Sequence, residues 1–256
     1  MDVRRAYPDL FGPTEAVLID TMMGPPQDIR ARHRIARANV RLTTAAFLDT
    51  GFAGRYRSDR SGRRQLQSLH IGGDFVDLPS YVLGHLDHDI DAVSPVSQRM
   101  IPHDRLDRLH VEAPHLLHKL WRVSLLDAAI HRYWIFRVGC LLGRARVASF
   151  FCEMMVRQYA RGLCQLDRFD LPLTQSDIGE ACGMTSVHAN RMIVELREEG
   201  ICTVGGGTVT VTDLDGLFRT GQYTWDYLFL PAHVDAALRS RLVAGAPCSV
   251  AGVARA

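Results

Sequence analysis

The segment Thr174–Gly200, TQSDIGEACGMTSVHANRMIVELREEG, restricts the fold more than any other part of the chain. Thr174 can cap one helix through its hydroxyl, and Asp177 completes a capping-box-like pair, so that Ile178 and Ala181 face inward. Gly183 permits a tight turn. Thr185 can cap a second helix in which Val187, Met192, Ile193 and Leu196 supply inward positions, and Gly200 ends it. Directly behind, ICTV and TVTVT flank Gly205, Gly206 and Gly207 and read as a hairpin. Helix, turn, helix and hairpin make a winged helix-turn-helix.

The second helix opens on short hydrogen-bonding side chains. A recognition helix reads base edges from its first turns, and needs donors and acceptors pointing outward to do so. Arg191 can fork onto guanine O6 and N7, and Asn190 and His188 offer further hydrogen bonds. Thr174, Gln175 and Thr185 fall where helix starts meet phosphates. The bland alternative is a solvated amphipathic helix with ordinary caps. The hairpin behind it and a long apolar helix ahead of it favour DNA binding.

That long helix starts at Pro114. Leu116, Leu120, Val123, Ile130, Trp134 and Leu141 recur at spacings that mark one apolar stripe on a helix of about 28 residues. The stripe is longer than one small domain needs to cover, so Leu116, Leu120, Val123, Ile130 and Trp134 are expected to form a homodimer seam rather than to pack on the chain's own barrel. Between Ile35 and Arg99, short alternating runs broken by Gly51, Gly54, Gly62 and Gly72-Gly73 suggest a small antiparallel barrel or sandwich. After Gly139 and Gly143 a second helix carries Val147, Phe150, Phe151, Met154 and Met155 on its apolar side. The expected organisation is therefore α+β: a barrel over residues 1–112, a dimerisation helix over 113–142, the winged helix-turn-helix over 143–220, and a tail over 221–256 with no clear pattern. The last ten residues of that tail read as disordered.

Composition excludes several classes. No apolar run approaches the roughly 18 residues that cross a bilayer, and no signal-peptide pattern opens the chain, so a soluble cytoplasmic protein without membrane contact is expected. The six cysteines, Cys140, Cys152, Cys164, Cys182, Cys202 and Cys248, contain no C-x-x-C pair and are expected to be reduced, with neither disulfide nor zinc. Net charge is only +2, yet the stretch His131–Asp170 holds seven arginines against three carboxylates, which can face phosphates or be solvated on a helix. His85 with His88, and His115 with His118, are pairs lacking a third ligand, so no metal and no cofactor is expected.

The order barrel, long helix, winged helix-turn-helix resembles the Crp/Fnr family of bacterial transcription regulators from about Ala36 to Leu217. GRRQLQSLHIGGDFVDL in the barrel and LPLTQSDIGEACGMTSVHANRMIVELREEG at the DNA end carry the likeness. The resemblance implies a cyclic-nucleotide-binding-like double-stranded β-helix, a homodimer on a palindromic operator, and RNA polymerase as a further partner. It places Arg191 on the guanine-reading arginine, with Ser186, Val187 and Asn190 on the other base-facing positions. Where better-known members hold a glutamate, this chain has Val187, which reaches only a thymine methyl and puts the usual half-site in doubt. Cyclic-nucleotide binders of the family hold the ribose with a glutamate and the phosphate with an arginine pair. Here Leu78 stands near the first, His88-Asp89 near the second, and Asp87, Asp89 and Asp91 would repel a phosphate. The absence of any cysteine before Cys140 departs from the iron-sulfur members.

The expected function is a DNA-binding regulator that is no enzyme and does not answer to cyclic AMP. Two alternatives stand beside it. A metal-dependent barrel enzyme would use His70, His85 and His88 with Asp74 or Asp89, although no His-x-His puts two ligands on one strand face. A ligand-free dimer contacting polymerase would share the DNA end.

Overall fold

The computed structural model describes residues 1–244. Two short helices open it, α1 (Val3–Ala6) and α2 (Pro13–Met22). Pro13 starts α2 at the position where a missing N–H costs nothing, and Ala16, Ile19 and Met22 form its buried face. The first part continues through β1 (Gln27–Ile29), β2 (Arg34–Ala36), β3 (Thr44–Thr50), β4 (Phe52–Ser58), β5 (Arg64–Ile71), α3 (Ser80–Leu83), β6 (Asp89–Ala92) and β7 (Val96–Pro102). Its strands form two antiparallel sheets, β1-β7-β3 and β2-β6-β4-β5. Ala46 and Leu48 of one sheet meet Ala53, Ile90 and Ala92 of the other in a shared apolar core. Gly51 makes the turn from β3 to β4 at φ +90°, where any Cβ would collide with the Pro95 carbonyl.

Helix α4 (His103–Glu112) leads into α5 (Pro114–Cys140), whose 27 residues match the helix expected there. A break at Leu141–Leu142 precedes α6 (Gly143–Ala160), which is buried on nearly every side from Val147 to Gln158. Then follow β8 (Arg168–Asp170), α7 (Gln175–Cys182), α8 (Ser186–Glu198), β9 (Cys202–Gly205), β10 (Thr208–Val211), α9 (Leu214–Gly221), a single 3-10 turn at Asp226–Leu228 and α10 (Ala232–Ala244). The hairpin turns through Gly206 and Gly207, both at positive φ, and β8 adds a third strand to it in the order β8-β10-β9.

The tail is ordered in its first part. Tyr223 and Trp225 are buried, and the Tyr227 ring stacks on Tyr133 of α5 with centroids 4.1 Å apart. The last ten residues, expected to lack order, lie outside the described residues.

The expected dimer seam is corrected by burial. Leu116, Leu120 and Val123 are at most 4% exposed and pack on Ile19, Phe75 and Leu106 of the same chain. Trp134 is buried against α6, and Ile130 is half-buried on the same cluster. Helix α5 has a second apolar stripe on its outer face: Trp121, Leu125 and Ile135 are 45%, 64% and 73% exposed. With Ala128, Arg132 and Gly139 they step by four, three, four, three and four residues, the heptad rhythm of a coiled-coil seam.

The basic stretch His131–Asp170 is also largely committed within the chain. Arg137 and Arg157 reach buried Glu153, Arg157 and Arg161 reach Asp74, and Arg146 donates to the Leu141 and Cys182 carbonyls. No free phosphate-facing surface is left by those four.

Candidate DNA-binding surface

The two helices α7 and α8 are set by their own local chemistry. The Thr174 hydroxyl accepts from the Asp177 N–H at 3.2 Å, and the Thr174 N–H donates back to the Asp177 carboxylate at 2.9 Å. Asp177 is buried, which works against ionisation, but hydrogen bonds from Arg32 and Thr174 hold its carboxyl below the usual range. Gly183 closes α7 in the left-handed region at φ +63°, so the expected turn residue is where it was needed. Gly179 is required too: a Cβ there would come 2.8 Å from the Met184 carbonyl, so its hydrogen lets the two helices meet. Thr185 caps α8 by accepting from the His188 N–H at 3.2 Å. Gly200, at φ +70°, follows the helix end.

Helix α8 presents two faces. Ala189, Met192, Ile193 and Leu196 are buried. Ser186, Val187, Asn190 and Arg191 are exposed, with His188 half-buried beside them. Val187, at 80% exposure, does not take the inward position expected for it and instead shares the outer face with Ser186, Asn190 and Arg191. The physical reason is period: positions 186, 187, 190 and 191 lie together on a helix, opposite 189, 192, 193 and 196.

The outer side chains are tied to one another. Gln175 Nε2 donates to Asn190 Oδ1 at 2.8 Å, linking the start of α7 to the reading face. Arg191 Nη2 lies 2.9 Å from His188 Nδ1, a donor meeting a ring nitrogen that accepts when it carries no proton. These contacts hold Asn190 and Arg191 extended over the surface while leaving further guanidinium donors open. A convex row of forked and single donors flanked by helix starts fits the major groove of a duplex.

The barrel tells a different story from a nucleotide pocket. Leu78 is buried, His88 bonds Asp87 at 2.8 Å, and Asp89 and Asp91 both pair with Arg34 on the sheet edge. Arg55, 4% exposed, projects between barrel and α5, bonding Asp127 and the Val76 carbonyl with His131 3.3 Å away. His70 is buried beside Ser68 and Asp74, where burial and Arg55 push its pKa down to about 4. Among the described residues no group of three His, Cys, Asp or Glu is placed to hold a metal ion, and Cys140, Cys152, Cys164, Cys182 and Cys202 are free thiols. No helix among them is long and apolar enough to cross a membrane.

Comparison with known proteins agrees with this geometry. Residues 145–220 match the Crp-like helix-turn-helix domain. The chain is 25% identical over 201 residues to the anaerobic regulatory protein of Haemophilus influenzae, covering 78% of each. Its fold is similar to that of FixK2 from Bradyrhizobium japonicum (TM-score 0.69, 22% identity, 77% of this chain and 96% of that one). It is also similar to a CRP-family transcriptional regulator from Thermus thermophilus (TM-score 0.63, 14% identity, 77% and 96%). An N-terminal cyclic-nucleotide-binding-like β domain, a long helix and a C-terminal winged helix-turn-helix therefore stand in one chain, which carries a Crp-like helix-turn-helix domain and is similar over most of its length to DNA-binding transcription regulators of the Crp/Fnr family.

Proposed function

We propose that this regulator acts as a homodimer on a palindromic promoter site, with Arg191 reading guanine and Ser186, Val187, His188 and Asn190 completing the base-facing surface. Thr174, Gln175 and Thr185 take phosphates at the two helix starts. The observation that carries the reading is the sorting of α8: its apolar residues are buried and every base-facing candidate but His188 is exposed. The two copies join along Trp121, Leu125, Ala128 and Ile135, which supports a dimer through the outer face of α5.

In this reading residues 1–112 form the barrel part, 113–142 the dimerisation helix, 143–220 the DNA-binding part and 221–256 a tail. The protein works in the cytoplasm with RNA polymerase as its partner, and the barrel carries no reaction. Cyclic AMP is not its signal. Removing a cyclic phosphate from water needs a fixed cation or converging N–H donors, and here Arg34 and Arg55 are already held by carboxylates.

The test is selection of duplexes from a random library by the purified protein, with and without cyclic AMP. Enrichment of a two-fold symmetric site with a guanine in each half, unchanged by the nucleotide, is expected. Enrichment of an asymmetric site, or only in the presence of cyclic AMP, refutes it.

A further inference from the structure

Two segments of the barrel carry more exposed cations than acids. The turn Arg30–His33 carries Arg30, Arg32 and His33 and no carboxylate, and the hairpin end Arg57–Arg64 carries four arginines against Asp59 alone. Strands β2 and β5, which border these segments, are opposite edges of one sheet. The segments nevertheless meet at a single carboxylate: Arg32 Nη2 is 3.0 Å and Arg64 Nη2 3.2 Å from Asp177, the capping-box acid at the start of α7. Arg64 also pairs with Glu180 at 3.1 Å, and the Gln65 amide donates to the Glu180 carbonyl.

The junction is specifically built. Arg32 holds a left-handed backbone at φ +67°, unfavourable for a residue with a Cβ, and its N–H is anchored on the Ala92 carbonyl at 2.7 Å. Beyond these two bridging arginines, Arg30, Arg60 and Arg63 are exposed. Arg63 has only Asp59 at 3.8 Å, and Arg30 and Arg60 have no carboxylate within 4.0 Å among the described residues. Exposed arginines without acidic partners raise the local positive potential, which a polyanion lowers.

We propose that this arginine edge of the barrel is a second contact for the DNA backbone, taking phosphates that flank those reached by the helix-turn-helix. The first helix of such a motif crosses the backbone. Here that helix is α7: Arg32 and Arg64 hold its capping acid Asp177, and Arg30, Arg60 and Arg63 lie within four residues of one or the other in the chain, so these cations are carried close to the start of α7, where Thr174 and Gln175 are proposed to meet phosphates. These arginines add affinity and salt dependence and no base preference. The inference rests on the DNA-bound orientation of α7 and α8 proposed above.

The test uses the full-length dimer and the selected site in two duplexes, one ending with the site and one extended by a further helical turn at each end. The wild-type protein should bind the long duplex several-fold more tightly, with a steeper decline of log K against log salt. In Arg30→Gln/Arg60→Gln/Arg63→Gln the length advantage should vanish, and the salt slope on the long duplex should fall by up to about 5, at about 0.9 for each of six phosphates released by the two copies. Binding and sequence preference on the short duplex, and the melting temperature, should stay as in the wild type. The triple lysine variant, which keeps the charges, should retain the advantage. Arg191→Ala does the reverse, losing preference on the short duplex while keeping the length advantage, so the two readings fail separately. A triple glutamine variant with the full length advantage overturns the proposal. If that variant also fails to activate transcription with purified polymerase, the edge serves an acidic protein surface instead.

Discussion

Glu153 offers the sharpest test of how the long helix is joined to the DNA-binding part. Its carboxylate is fully buried and accepts from Trp134 Nε1 at 2.9 Å, Arg137 Nη1 at 2.8 Å, Tyr227 Oη at 3.2 Å and Arg157 Nη1 at 3.3 Å. Arg137 is 0% exposed, and its Nε and Nη2 have no hydrogen-bond partner among the described residues. Its guanidinium lies over the Trp134 and Phe150 rings at 4.5 and 5.2 Å. Burial opposes its charge, but the Glu153 carboxylate keeps it protonated. Glu153→Leu therefore strands a buried cation, and the expected loss is about 3–5 kcal/mol. For a chain of this size that is a fall in melting temperature of roughly 6–20 °C. Arg157 adds less, because Asp74 still holds it at 2.8 Å. The double variant Arg137→Met/Glu153→Leu removes both charges together and leaves the Trp134 N–H and one O–H of the hydrogen-bonded Tyr223–Tyr227 pair short of an acceptor. It should be at least about 1 kcal/mol more stable than Glu153→Leu alone. Urea and thermal unfolding of the wild type, both singles and the double complete the cycle. If the double is as unstable as the sum of the singles, the buried pair is not what fixes the junction.

Leu125→Glu/Ile135→Glu should give folded monomers in light scattering, with operator binding lost, since each aliphatic side chain buried at a seam contributes about 1.5–3 kcal/mol. Leu120→Glu, at 2% exposure inside the chain, should unfold the protein instead; folded monomers from Leu120→Glu and persistent dimers from the outer pair would contradict the assignment. Arg191→Ala should cost about 1–3 kcal/mol per half-site and relax preference at one guanine, and an unchanged gel-shift series at fixed salt refutes it. Asp77 is 2% exposed, and burial raises its pKa to about 7 against the opposing Ala46 hydrogen bond and Arg55. The folded state thus holds a proton that the unfolded chain releases near pH 4, so this group withdraws stability as pH rises from about 4 to about 7, by roughly 4 kcal/mol in all. Asp77→Asn should gain on the wild type across that window, and a constant difference from pH 4 to 8 would count against it.

What could be read from sequence was chemistry that acts over a few residues. The caps at Thr174 and Thr185, the Asp177 reply and the left-handed Gly183 involve atoms within one turn, and the structure has each of them. The inward reading of Val187 rests on apolar character alone; the helical period puts it on the outer face with Ser186, Asn190 and Arg191, where the family resemblance also places it. On α5 the difficulty was different. The helix carries two apolar stripes, one through Leu116, Leu120 and Val123 at steps of four and three, and one through Trp121, Leu125, Ala128 and Ile135 at steps of four, three and seven. Periodicity identifies a stripe without saying what covers it. The ordered tail was invisible for the same reason, since Tyr227 is fixed by Tyr133 and Glu153, which lie far away in the chain.

Charge shows the limit most clearly. Arginine is dense both in His131–Asp170 and around the barrel turn and hairpin, and only the first is singled out from the sequence as a stretch that can face phosphates. Folding reverses that reading. Arg137 and Arg157 meet Glu153 inside the chain, and Arg157 and Arg161 cross from α6 to Asp74 behind the barrel, so their charges are neutralised where no solvent ion reaches. The barrel arginines find too few acids: Asp177 takes Arg32 and Arg64, and Arg30 and Arg60 remain unmatched among the described residues. An exposed cation becomes a binding determinant only after the pairing of all the others is known, because a guanidinium already held by a buried carboxylate has no charge left to offer a phosphate. Tertiary pairing, rather than local density of arginine, therefore decides which surface of this regulator attracts nucleic acid. The same pairing that ties the barrel to α7 through Asp177 fixes Arg32 and Arg64, and the unmatched Arg30 and Arg60 lie two and four residues from them in the chain.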